Sequence, residues 1–354
     1  MPSPQPVIGI RLRRSSYHAQ PRVLRFRAVP ESMSKAGTTE DRLAEIAALG
    51  KSPDTPVARK QLRKHLSSKS SLVVAKTAEI MAHIEGNDFT SDLIAAFHRF
   101  MADPVKTDKG CAAKTAVVKA LLAADCDDEE LYLTGIRHVQ LEPTWGGRAD
   151  TAARLRALCG LGLVQVGSPD AMNELAALLA DKEPDARIGA AGALGHCGPT
   201  AAPLLRFKVL TGDEEPAVLA ECLTALMALS PSASFEFVAG FVDAKYPLLY
   251  EHAALALAES RLPGVFDLLK EKWTGTFDRE FKQTLLLPIA LTRSDEARDF
   301  LVSVLETGEV RMATAAIATL GIYREDAQMR KRAEEAIEGP NKARLLAALR
   351  RVFE

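Results

Sequence analysis

Residues 181–198 read DKEPDARIGAAGALGHCG, and this stretch decides the fold. Pro184 suits the first turn of a helix, where its missing N–H costs nothing. Glu183 and Asp185 place negative charge at that helix's positive end. Ile188, Ala191, Leu194 and Gly195 follow three or four residues apart, on one face. Gly189, Ala190, Gly192 and Ala193 are small enough for a neighbouring helix to come close. Gly198 and Pro199 supply the usual stop. Each of the three internal glycines costs roughly 1 kcal/mol against alanine, so tight packing is expected in return.

The pattern recurs. With Leu194 as marker, the matching positions are Leu163, Leu194, Leu226, Leu257, Ile289 and Leu320, at intervals of 31, 32, 31, 32 and 31. A second marker in the preceding helix runs Leu179, Leu210, Val242, Trp273 and Leu305, at intervals of 31, 32, 31 and 32. Two apolar positions keeping step over this period mean stacked helical hairpins, none of which buries its apolar face alone. The regular units are expected over 148–323. Over 33–137 the hairpins are less regular, with marker equivalents Met81 and Leu121. The step from Leu121 to Leu163 exceeds the period by about ten residues. The excess falls in a Pro/Gly-broken loop, 138–147, that carries Trp145; insertions of this kind gather on one face of a repeat protein. Trp145 either meets a partner or folds back over its neighbours. Pro288, one residue before a marker, is expected to kink or shorten its helix. Residues 324–354 read as charged capping helices.

Charge is uneven. Residues 1–32 hold six arginines and one glutamate, +5, and the remainder 39 basic against 45 acidic residues, −6. The first 32 residues lack the repeat and read as a disordered basic tail, or as translation from a start upstream of Met33. An organelle-targeting segment shares their Arg-rich, acid-poor composition, but the prolines oppose its amphipathic helix. An acidic body argues against a general nucleic-acid binder. No apolar run approaches the roughly 20 residues a membrane span needs. Five cysteines without a CxxC pair fit a reducing cytoplasm, as small buried hydrophobes.

Residues 185–198, DARIGAAGALGHCG, resemble a HEAT repeat of the short kind found in phycobilisome-lyase-like proteins. TAARLRALCGLGLVQVG (151–167), AVLAECLTALMALS (217–230) and EVRMATAAIATLGIY (309–323) echo it. The resemblance implies an all-α, right-handed solenoid of about eight hairpins, most often used as a scaffold or partner-binding surface. It also implies an alternative, a chaperone-like or phycobilin-lyase-like enzyme subunit. HEAT-like hydroxylases hold two irons with His-Glu dyads, and this chain has no His-Glu dipeptide. HExxH, GxSxG and GxxxxGK[ST] are absent as well, so no catalytic, metal or cofactor residue is assigned. HEAT-like nucleic-acid binders need a basic groove with aromatic contacts, which the composition opposes.

In such repeats a basic residue follows the apolar start of the second helix. Seven residues before the marker this chain holds Lys114, Arg156, Arg187 and Lys282, with Tyr250 in the same row. One reading is a partial basic ladder along the inner groove, open to acidic segments. The other is a set of inter-repeat ion pairs, for example Arg187 with Asp150 or Asp185. The expected function is non-catalytic binding of a protein partner through the groove of the second helices. Candidate contacts are Lys114, Arg156, Arg187, Glu221, His252 and Lys282, with Trp145 on its loop and Tyr250 as an aromatic anchor.

Overall fold

A computed structural model describes residues 38–354 apart from Asn87 and Gly308. The tail expected over 1–32 lies outside the described residues. The first helix, α1 (Thr39–Leu49), is followed by α2 (Pro56–Leu66), α3 (Ser71–Met81), α4 (Thr90–Met101), a single turn α5 (Pro104–Thr107), α6 (Ala112–Ala123) and α7 (Glu129–Ile136). Two short strands come next, β1 (Leu141–Thr144) and β2 (Gly147–Asp150). The regular array is α8 (Ala153–Gln165), α9 (Ala171–Leu178), α10 (Pro184–Leu194), α11 (Ala202–Thr211), α12 (Pro216–Leu229), α13 (Pro231–Ala239), α14 (Tyr250–Ser260), α15 (Val265–Thr274) and α16 (Arg279–Leu291). The chain closes with α17 (Asp295–Thr307), α18 (Val310–Thr319), α19 (Ala327–Ala336) and α20 (Lys342–Phe353).

Local chemistry starts these helices. Prolines stand in the first turn of α2, α10, α12 and α13. Asp128, Asp278 and Asp326 cap α7, α16 and α19 by accepting backbone N–H groups of the first turn. Each helix then pairs with its successor, as in α2 with α3, α9 with α10 and α19 with α20. The second helices stack in order: α3, α6, α8, α10, α12, α14, α16, α18, α20. The molecule is therefore an all-α solenoid. Eight marker units and the charged closing pair make nine hairpins among the described residues, preceded by α1, which packs on α3.

The core runs through that stack. Leu163, Leu194, Leu226, Leu257, Ile289 and Leu320 are all fully buried. The glycines of α10 act as their pattern implied. A Cβ on Gly189 would stand 2.1 Å from the Ala157 Cβ, so α8 and α10 touch backbone to side chain there.

The second marker row is less uniform. Leu179, Val242 and Leu305 are buried, but Leu210 is 71% exposed and Val209 takes the inward position. The period held in sequence while α11 rotated by one residue. Trp273 is half-buried, edge-on to Phe300 at 5.0 Å. Pro288 does not end α16, which continues to Leu291; its missing N–H costs one intrahelical bond, to the Thr284 carbonyl.

Residues 138–147, expected as a loop, lead into a β-hairpin. β1 pairs antiparallel with β2 from Leu141 opposite Asp150 to Thr144 opposite Gly147. Trp145 and Gly146 form the turn, and Gly146 has φ +97°, a conformation that favours glycine.

Candidate functional site

The second helices leave one face uncovered. Its best-formed part is a groove of about 880 Å³ along α3, α6, α8 and α10. The groove takes its residues nine, six, five and two positions before each marker, as with Asp185, Ile188 and Gly189 in α10. Its floor is mostly small, with Ala75, Ala112, Thr115, Ala116, Ala157 and Gly189 interrupted by Leu158 and Ile188. Glu79, Lys119, Arg154 and Asp185 stand around that floor.

Most of the basic row predicted for this groove is not in it. Seven residues are nearly two full turns of helix, so a residue seven before the marker lies about 20° from the marker and faces the core. Lys114 is fully buried, with its Nζ 3.0 Å from Asp108 Oδ2. Arg156, 3% exposed, donates through Nε and Nη2 to Asp181 at 2.9 Å each, and through Nη1 to Asp150 at 2.7 Å and the His138 carbonyl at 3.0 Å. Arg187 donates to both oxygens of Asp213 at 2.8 and 2.7 Å and to the Asp181 carbonyl at 2.8 Å. Its partners are thus neither Asp150 nor Asp185. Lys282 lies over the Trp273 ring, 4.4 Å from its centroid. Tyr250 is half-buried, edge-on to Phe281 at 4.8 Å. Lys114, Arg156 and Arg187 are therefore corrected from groove contacts to ion pairs, within the repeat for Lys114 and between repeats for Arg156 and Arg187, and Tyr250 and Lys282 to packing positions.

The acidic half of this ladder was missed. Asp108, Asp150, Asp181 and Asp213 each stand 13 residues before a marker. Each basic side chain binds the aspartate of its own repeat, that of the next, or both. Where Leu219 interrupts the basic row, Lys208 of α11 reaches Asp213 instead, at 2.8 Å. Burial alone would raise the Asp213 carboxyl, but hydrogen bonds from Arg187 and Lys208 hold it well below the usual carboxylate range. Repetition of aspartate at the 31- and 32-residue interval was the signal that could have found the row.

Glu221 in α12 and His252 in α14 stand five residues before their markers, in the register of the groove residues Ala116, Leu158 and Gly189, but beyond the stretch that α3, α6, α8 and α10 line. His252 is exposed. Glu221 is half-buried against α10, its Oε1 2.9 Å from where a Cβ on Gly192 would be. Burial pushes its carboxyl up, with exposed His196 opposing weakly.

Trp145 stands at the hairpin tip, fully exposed. The root of that hairpin is fixed by polar side chains. Glu142 Oε1 accepts the Gly110 N–H at 2.6 Å, Gln140 Nε2 at 2.7 Å and the Thr151 hydroxyl at 2.9 Å. Gln140, fully buried, also donates to the Asp108 carbonyl at 2.7 Å. Asp150 Oδ1 accepts the N–H groups of Gln140 and Ala152. Gly110 and Thr151 both line the groove, so the hairpin is rooted in the groove wall.

Some charges on the first helices and their loops find partners, Arg63 with Asp92, Arg137 with Glu174, and Arg332 with Asp299, whereas Lys60 and Lys64 of α2 form no ion pair among the described residues. Among the described residues, no ion pair involves Lys119, Arg154, Asp185 or Glu221. The groove thus presents mostly small side chains at its floor and uncommitted charge of both signs at its rim. That arrangement can seat a chain closely and fix its register by charge.

No family model matches the sequence, and no curated protein matches it. Among solved structures, the chain is similar to the complex of CpcE and CpcF of phycocyanin lyase from Nostoc sp. PCC7120. The identity is 16% over 91% of this chain and 99% of that chain, with a TM-score of 0.32. No helix among the described residues is long and apolar enough to cross a membrane.

Proposed function

We propose that the chain is a non-catalytic scaffold that binds a segment of a protein partner in the groove of its second helices. One observation carries this reading: at the groove rim Lys119, Arg154 and Asp185 are left without ionic partners among the described residues, beside a floor mostly of alanine, threonine and glycine with Leu158 and Ile188. Small floor residues let a bound backbone approach, and the free charges supply specificity at modest desolvation cost. Four of the five free cysteines are buried, which supports a reducing compartment such as the cytoplasm.

The test is affinity purification of the full chain beside two charge reversals of exposed residues. Lys119→Glu with Asp185→Lys alters the groove rim; Arg332→Glu alters a first helix. Unfolding curves should overlay for all three proteins, since surface substitutions usually change stability by about 0.5 kcal/mol or less. The partner should leave with the groove variant and stay with Arg332→Glu. Retention of every partner by the groove variant would defeat the proposal. The lyase-like alternative makes a different forecast, a bilin absorbance band on co-expression, where the scaffold reading expects none.

A further inference from the structure

The hairpin between α7 and α8 is an expensive way to join two helices. The regular repeat needs no such insertion, and the other joins between consecutive helices run to ten residues at most. Here ten further residues are fixed by a buried polar network, and the network ends in a tryptophan with no contact of its own. Trp145 is fully exposed, whereas the chain's other tryptophan, Trp273, is packed on Phe300. Around the hairpin root, Val105, Val139 and Leu141 are exposed too, at 40%, 57% and 44%. They flank the bonded residues: Val139 and Leu141 neighbour Gln140, and Gln140 holds the Asp108 carbonyl three residues beyond Val105. All three thus lie close in the chain to residues of the hairpin root.

The charge around this root is mainly positive. Lys106 and Lys109 flank Asp108, Arg148 lies opposite Pro143 in β2, and Arg154 opens α8 on the groove wall. All four are exposed, and no ion pair among the described residues involves them. Of the nearby acids, exposed Asp103 before α5 forms no ion pair among the described residues, and the two on the hairpin are occupied. Glu142 accepts three hydrogen bonds and Asp150 is bound to Arg156.

We propose that this hairpin and the groove wall beneath it bind an acidic segment of a partner protein, with Trp145 inserting among that segment's apolar side chains. The proposal rests on the groove reading above, because Gly110 and Thr151 belong to both hairpin root and groove. Uncommitted lysine and arginine select carboxylates. An aromatic held on a preorganised turn is the residue type that dominates binding energy, with little ordering entropy left to lose. A recessed groove suits a chain rather than a flat bilayer. One tryptophan gives a nucleic acid a single stacking platform.

The experiment is selection of a phage-displayed library of random peptides on the intact full-length chain. The expected winners are rich in Asp and Glu with interspersed Leu, Phe or Trp. As synthetic peptides they should lose about tenfold or more in affinity on Trp145→Ala, and a similar factor on Lys109→Glu with Arg148→Glu. Their binding should also weaken with added salt. Basic or neutral winners overturn the proposal, as does selection of nothing. Winners that ignore the hairpin variants but are lost on Lys119→Glu with Asp185→Lys remove the hairpin while leaving the groove reading intact. Winners indifferent to both sets remove both. Oligothymidylate, or vesicles containing phosphatidylserine, bound in a Trp145-dependent way where acidic peptides are not, would assign the hairpin to another class of partner and overturn this one.

Discussion

Replacing Arg156 by methionine should destabilise the solenoid by roughly 3–5 kcal/mol, the cost of breaking a buried ion pair on one side. The guanidinium is 3% exposed and makes four hydrogen bonds, two to Asp181, one to Asp150 and one to the His138 carbonyl. Methionine fills much of the stem volume, so little of the loss is cavity. What remains is two aspartates facing an apolar side chain. Asp150 keeps the N–H groups of Gln140 and Ala152, and Asp181 keeps that of Glu183. The Asp181 side chain is 17% exposed and the Asp150 side chain 8%, so water reaches the former and the lower half of the range is expected. Arg156→Lys keeps the charge but not the planar fork, and should lose roughly 1.5–3 kcal/mol, one charged hydrogen bond's worth. Adding Asp181→Asn to Arg156→Met should give a coupling of about 0.5–3 kcal/mol, because the stranded charge is then removed. Urea unfolding followed by circular dichroism reads all three, with midpoint shifts at an unchanged slope. A methionine variant within about 0.5 kcal/mol of wild type, the range of an ordinary surface site, would refute the reasoning. So would a stable methionine variant that no longer captures the partner, since that result would return Arg156 to the groove.

Gly189→Ala should cost about 1–2 kcal/mol: overpacking against Ala157, whose Cβ is 2.1 Å from the new methyl, outweighs the gain in helix propensity. Adding Ala157→Gly should recover part of that loss in the same unfolding assay. Asp213→Asn should destabilise at neutral pH and flatten the acid limb of the stability profile. The Asp213 carboxyl titrates below its unfolded value, so its contribution is whole above the ordinary carboxylate pKa and disappears as pH falls towards the folded one. Unfolding midpoints from pH 7 downward check this, and an unchanged acid limb would refute it. Among the cysteines, half-buried Cys197 should react first with a thiol reagent, measured as release per chain, because burial pushes Cys111 up to about 11 and Cys222 up to about 12. Equal rates at all five would contradict the burial described.

The hairpin period and its marker leucines were legible from the chain alone, since an apolar residue recurring at a fixed interval has nowhere to go but a repeated core. Pro184 and Gly189 were legible for the same reason, each following from a local rule of helix geometry. The role of the basic row was not recognised, although the rule needed was equally local. A residue one heptad before a buried leucine shares its face, which sends Lys114 and Arg156 inward. The aspartates 13 before each marker were visible too, but their partners were not. Arg187 chooses Asp213 over Asp185 because Asp185, two residues earlier, lies on the groove face of α10, away from Arg187, whereas the next repeat's aspartate faces it across the stack. Leu210 shows the opposite failure, a position that kept the period while its helix turned outward.

The sequence by itself determined that two-helix units stack and which leucines they bury, because periodicity and side-chain volume act locally and repeat. Only the tertiary structure decided which charges were already committed, that residues 141–150 pair as strands, and that Trp145 is left in solvent. Those outcomes depend on distances between neighbouring repeats, and hydrogen bonds such as Gly110 to Glu142 join residues that no local rule brings together.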